Sequence, residues 1–168
     1  AACIQLFYYL WYFRRLAFYT PEQKEQTREN AVSIIVCARD EAENLVNNLP
    51  GVLVQTYQST HEVVVVNDNS QDETRYLLEG LHKQFRQLNI VELKQEAKLI
   101  PGKKFPLSVG IKSAKHEILL LTDADCVHPS QWLNAVVFGL EKNQSAFQTS
   151  PVIIDGGNTL LAKMQETE

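Results

Sequence analysis

The sequence predicts an α/β domain built on a mostly parallel sheet with helices on both faces. Short apolar runs recur along the chain without the polar alternation of a half-solvated strand, as expected where a strand is covered on both sides. Longer stretches with apolar residues at helical spacing separate these runs. Strand and helix therefore alternate, the order that right-handed crossovers in a parallel sheet require. At 168 residues and 45% hydrophobic, one domain with a real core is within reach. The net charge of −4 is spread over interspersed acids and bases. That leaves no basic footprint for a nucleic-acid partner.

The amino-terminal stretch differs from the rest. Residues 1–13, AACIQLFYYLWYF, are apolar and aromatic, and Arg14 and Arg15 follow at once. A spanning helix needs about 20 apolar residues, so this run is too short to cross a bilayer alone. The sequence opens on Ala rather than Met, so residues 1–19 are expected to be the tail of a transmembrane or membrane-interface helix. The arginine pair would mark the cytosolic side, placing the domain at the cell membrane on its cytoplasmic face. An amphipathic helix packed on the domain and a signal-peptide remnant are the alternatives. Residues 20–30 are polar and mixed in charge and predict a linker. Cys3, Cys37 and Cys126 are odd in number, far apart and never in a CxxC spacing, which predicts reduced thiols.

From residue 31 to 168 the elements follow in order. Strands are predicted at residues 32–37, 63–66, 90–93 and 118–121, with a fifth candidate at 146–154. Helices are predicted at 41–54, 72–88 and 105–114, and a later one enters through Pro129 and runs over 132–140. Asp40 with Glu43 and Ser70 with Glu73 have capping-box spacing.

Ligands on parallel sheets bind beyond the carboxyl ends of the strands. The first predicted strand runs into Ala38, Arg39, Asp40 and Glu41, the second into Asn67, Asp68, Asn69 and Ser70, and the fourth into Thr122, Asp123, Ala124 and Asp125. Asp123 and Asp125 close a greasy run, LLLTDADC. At the edge of a core two carboxylates repel each other unless a cation sits between them. Pro101, Gly102, Lys103 and Lys104 add a turn and two cations at a helix start. Carboxylates for a metal and a lysine for phosphate are what a nucleoside diphosphate with a divalent cation requires. No G-x-G-x-x-G follows the first strand and no G-x-x-x-x-G-K-[ST] occurs, which argues against a dinucleotide oxidoreductase and a P-loop ATPase.

Three segments, VSIIVCARDEAENL, VVVVNDNSQDET and GKKFPLSVGIKSAKHEILLLTDADC, occur in this order, each ending a predicted strand. Together they resemble the nucleotide-binding half of the family 2 glycosyltransferases, inverting enzymes with a GT-A fold and nucleotide-sugar donors. The resemblance implies a Rossmann-like, mostly parallel sheet, truncated here on its carboxy-terminal, acceptor side. Where the family has Pro-x-Tyr-Asn-Glu around base and ribose, this chain has Cys37, Ala38, Arg39, Asp40 and Glu41, with only the Glu identical. Arg39 could still stack its guanidinium on a base. Where the family has Asp-Asp-x-Ser, Asp68 keeps the base-contacting acid and Asn67 has lost the first charge. Lys103 is implied near the diphosphate, Asp123 toward ribose and metal, and Asp125 as a direct ligand of Mg²⁺ or Mn²⁺.

The family's general base lies downstream of these motifs and is expected beyond residue 168. Within the chain, Glu141 and Asp155 are available acids without an assigned role. The acceptor is expected to be a carbohydrate or lipid-linked molecule. Each candidate also has a plain structural alternative. The aspartate pair could form an Asx turn, Asp68 could bond only to backbone, Glu41 could be a first-turn acid, and Lys103 could be solvated charge. Cys126, which follows the pair, is expected to be a buried thiol, and His128 a helix-entry residue. Two other function classes compete. A nucleotidyltransferase would need a Gly-rich, Arg-containing loop after the first strand, and a receiver-like module would need a phosphorylatable Asp with a later Lys.

Overall fold

The computed structural model describes residues 2–17, 30–94, 102–142 and 146–149. A helix α1 (Ala2–Ala17) comes first. The domain then runs β1 (Val32–Ala38), α2 (Ala42–Leu53), β2 (His61–Asp68), α3 (Thr74–Gln84), β3 (Leu88–Leu93), α4 (Lys104–Ser113), β4 (Ile118–Asp123) and α5 (Trp132–Lys142). Among the described residues the strands form one parallel sheet of order β3-β2-β1-β4. The chain reverses direction across the sheet after β3, so β1 and β4 sit side by side with Cys37 opposite Asp123.

The period-2 geometry of the strands sorts their side chains into two cores. Ile34, Val36, Ala38, Val63, Val65 and Leu120 face α2, α3 and α5, meeting Leu45, Leu49, Leu78, Leu133 and Val137. Val64, Val66 and Leu93 face α4, meeting Phe105 and Val109. Helices thus cover both faces, as predicted. Val63 to Val66 are all fully buried, each worth about 1.5–3 kcal/mol relative to an exposed side chain. Helix α4 approaches closely because Gly110 faces the sheet. A Cβ there would lie 2.6 Å from Ile35 Cγ2 and 3.0 Å from Val66 Cγ2.

Three local expectations need correction. The runs of β3 and β4 look fully buried in sequence, yet both are edges of the sheet that the described residues form, and Leu119 and Leu121 are 37% and 52% exposed. Residues 146–149 of the expected fifth strand are irregular, and its remainder lies outside the described residues. The capping boxes are also absent as such. Helix α2 starts at Ala42 and α3 at Thr74, without a side-chain cap from Glu41 or Glu73. Asp72 serves both helices instead. Its Oδ2 accepts from Ala42 N at 3.0 Å and its Oδ1 from Thr74 N at 3.0 Å. Burial would raise this carboxyl, but the Thr74 hydroxyl and the two amides outweigh it and hold the group below its ordinary range.

A buried polar node ties the amino ends of the strands together. Glu62, 4% exposed, accepts from Ser33 Oγ at 2.6 Å, Lys115 N at 2.6 Å and Asn89 Nδ2 at 2.7 Å. Lys115 Nζ lies 3.3 Å from its second oxygen. Ser33 Oγ in turn accepts from His116 N. One side chain therefore joins β1, β2, β3 and the turn before β4.

Candidate functional site

The carboxyl ends of β1, β2 and β4 form the rim that the sequence predicted. The β1–α2 and β2–α3 turns are stitched to each other there. Asp40 and Asn69 adopt φ of 55° and 54°, a left-handed conformation that Asp and Asn tolerate better than other side chains. Asp40 N donates to Ser70 Oγ at 2.9 Å and Gln71 N to Asp40 Oδ1 at 2.6 Å. Asp40 and Ser70 are thus spent on each other's loops, which is why neither caps its own helix.

Asn67 links the β2–α3 turn to β3. Its Oδ1 accepts from Ser70 N and Ser70 Oγ, while its Nδ2 donates to both carboxylate oxygens of Glu92, at 3.2 and 3.0 Å. Glu92 stands opposite in register on β3. An aspartate at 67 would face that carboxylate charge to charge; the amide turns repulsion into a hydrogen bond. Beside this pair a cleft of about 590 Å³ opens, lined by Asn69, Ser70, Arg75, Leu93 and Lys94 as well.

Asp68, Lys103 and Asp123 converge around Cys37. Asp68 ends β2 and is 6% exposed; Asp123 ends β4. Lys103 Nζ donates to Asp123 Oδ1 at 2.9 Å across 20 residues of chain. Gly102, with φ of 94°, makes the turn that delivers the lysine, a conformation a Cβ would strain. The Asp123 hydrogen bond raises the Lys103 ammonium above its ordinary value. Cys37 is pushed up, first by burial, with Lys103 opposing and Asp123 and Asp68 adding to it. The thiol therefore stays neutral and contributes no charge to the floor of the site. Sequence reasoning placed Cys37 only at a motif position. Its register opposite Asp123 is a tertiary fact with no local signal.

The turn carrying Asp123 and Asp125 is braced from behind. Ala124 is buried in the α2-side core, so its small side chain anchors the turn between two exposed carboxylates. Asn48 Nδ2 donates to Ala124 O at 3.0 Å. His128 Nε2 lies 2.7 Å from Thr122 Oγ1, and its ring stacks on Trp132 at 4.0 Å. Burial lowers the His128 pKa, favouring the neutral ring. His128 thus stands at the helix entry and also supports the acidic turn from behind, the two roles the sequence left open for it.

The remaining candidates contribute less. Ala38 is 2% exposed with its side chain in the core, leaving only its main chain for the rim. Arg39 is exposed at the end of β1. Glu41 accepts from Asn44 Nδ2 at 2.6 Å, a first-turn contact within its own helix. Glu141 accepts from Asn30 Nδ2 at 2.6 Å, near the amino end of β1 and away from the rim. Asp155 lies outside the described residues. Cys126 is a free thiol, half-buried, with Sγ 3.6 Å from Asp125 Oδ1.

Among the described residues, no three His, Cys, Asp or Glu side chains group closely enough to hold a metal. Asp123 and Asp125 offer hard carboxylate oxygens, which suit Mg²⁺ or Mn²⁺ when phosphate and water complete the shell. The donor set therefore fits a cation that arrives with a phosphate ligand.

Residues 33–167 match the family described as glycosyl transferase family 2. The chain belongs to that family. Curated relatives include an uncharacterized glycosyltransferase of Haemophilus influenzae, 30% identical over 67% of this chain, and glycosyltransferase AglE of Haloferax volcanii, 33% identical over 76%. The chain spans 33% and 38% of their lengths. Among solved structures, mannosyltransferase PcManGT of Pyrobaculum calidifontis, in complex with GDP-Man and Mn²⁺, is 26% identical with a TM-score of 0.64. The match covers 80% of this chain and 39% of that one. TarS of S. aureus in complex with UDP-GlcNAc is 22% identical with a TM-score of 0.58, covering 75% and 38%. The sheet is that of GT-A glycosyltransferases.

Proposed function

We infer that this family 2 domain binds the nucleotide-sugar donor of a metal-dependent, inverting glycosyltransferase. The observation that carries this reading is the meeting of Asp68, Lys103 and Asp123 around Cys37 at the carboxyl ends of three adjacent strands. In the reading, Asp68 accepts from the base, Arg39 lies against its face, and Lys103 reaches the diphosphate. Asp123 and Asp125 hold Mg²⁺ or Mn²⁺. When bound, the cation would stabilise the negative charge that collects on the departing nucleoside diphosphate. The Mn²⁺ and GDP-Man of the mannosyltransferase complex support this choice of ligands. A carboxylate elsewhere in the full protein deprotonates the hydroxyl of a carbohydrate or lipid-linked acceptor, which attacks from the face opposite the diphosphate. Calorimetry with UDP and GDP, with and without Mn²⁺, is expected to give metal-dependent binding of at least one nucleotide. Binding of neither would overturn the reading.

The membrane placement belongs to the same proposal. No helix among the described residues is long and apolar enough to cross a membrane. In α1, Ile4, Phe7 and Trp11 form one exposed apolar stripe and Leu6 and Leu10 another, with Phe7 stacked on Trp11 at 5.9 Å. Aromatic and aliphatic side chains ahead of Arg14 suit the headgroup boundary of a cytoplasmic leaflet. Replacing Phe7 and Trp11 with Ser is expected to reduce co-flotation with anionic vesicles several-fold. Equal flotation of both proteins would remove the membrane reading.

A further inference from the structure

We propose that Lys103 is a resident counter-ion for Asp123, whose transfer onto an incoming diphosphate couples metal binding to nucleotide binding. This rests on the donor-site reading and adds to it a coupling between the two ligands.

The Lys103 ammonium sits directly on Asp123 Oδ1, at 2.9 Å. Asp125 adds further carboxylate charge nearby, and the neutral Cys37 thiol adds none. Lys103 therefore occupies the electrostatic position a divalent cation would take. Two cations on one carboxylate repel each other, so metal arriving alone has to displace the lysine into water. A diphosphate removes that cost, because the displaced ammonium finds phosphate oxygens as its new partners. Each ligand then raises affinity for the other by the same factor, since binding free energies are linked reciprocally. The contact is built for exchange. Lys103 and Asp123 side chains are 72% and 55% exposed, so the ion pair is weak and its lysine is free to swing.

Removing the lysine should move two affinities in opposite directions. Lys103→Ala is expected to tighten Mn²⁺ binding in the absence of nucleotide about three- to ten-fold. The same variant should weaken UDP or GDP binding in the presence of Mn²⁺, so the coupling factor falls toward one. Lys103→Arg should keep the wild-type signs. Lys104→Ala, the same charge change one residue away at another exposed position, is the control for general electrostatics. Calorimetric titration of the chain and these variants with Mn²⁺ alone, and with nucleotide with and without Mn²⁺, reads all of this. Unchanged or weaker metal-alone binding in Lys103→Ala, or an equal gain in Lys104→Ala, overturns the counter-ion role while leaving the donor site standing. Wild-type protein that binds neither nucleotide with Mn²⁺ removes the donor-site reading, and the counter-ion role with it.

Discussion

Asp125→Asn is expected to abolish the Mn²⁺-dependent part of nucleotide affinity, by about 10- to 100-fold or more, while leaving the fold intact. That range is what disturbing even the outer partners of a metal ligand costs, and Asp125 is proposed as a ligand itself. The substitution keeps shape and removes charge, so it tests electrostatics rather than packing. The side chain is exposed, and its only described contact is the long one from Cys126. Stability should therefore stay within about 0.5 kcal/mol. Asp123→Asn differs in kind because it also releases Lys103. It should weaken metal-dependent binding too, but leave a lysine able to meet the phosphates. Nucleotide titrations with and without Mn²⁺, beside a thermal melt of each variant, separate the two. Metal-dependent affinity unchanged in Asp125→Asn would mean that the acidic turn is structural only.

The strands of this domain were legible because a buried parallel strand leaves a dense apolar run, and VVVV and ILLL leave little else to read. Their carboxyl-edge acids were legible for the complementary reason, since charge directly after such a run has to be at a rim. What a local window misses is partnership across the chain. Asp40 and Ser70 have the spacing of helix caps, yet each serves the other's loop across about 30 residues. The cap itself comes from Asp72, shared by two helices. The exposure of Leu119 and Leu121 goes with β4 standing at the edge of the sheet that the described residues form, and strand order is not written in a hydrophobic run. Within the candidate site, Asp68, Lys103 and Asp123 each stood out singly as strand-end or helix-start charges. Their meeting at Cys37 follows from register, as does the pairing of Asn67 with Glu92.

Glu62 was the least legible of the residues that matter, because a glutamate just ahead of VVVV reads as the solvated start of a strand. In the fold it is a buried acceptor for Ser33, Asn89 and the Lys115 amide, with the Lys115 ammonium alongside. All four partners are donors, and only a group that accepts at both oxygens satisfies them. Glu62→Gln turns an NH₂ toward one side of that ring and strands at least one donor. The expected loss is about 3 kcal/mol, within the range for hydrogen bonds to a buried charge. That corresponds to a fall of roughly 6–12 °C in Tm for a domain of this size. Burial alone would raise the Glu62 carboxyl, but Ser33, the Lys115 amide and the Lys115 ammonium outweigh it, so the folded pKa lies below the ordinary 4.5. The ionised form therefore stabilises the fold at neutral pH. Its contribution is present above the unfolded value and is lost as pH falls below about 4.5 toward the folded one. His61 and His128 act in a separate window. Burial lowers both, so their contribution falls as pH drops through 6.5 and is common to wild type and variant. Urea melts of wild type and Glu62→Gln at pH 7, 5.5 and 3.5 isolate the carboxylate. The stability gap should hold between pH 7 and 5.5 and narrow at pH 3.5, and a gap independent of pH would show that Glu62 acts through shape rather than charge.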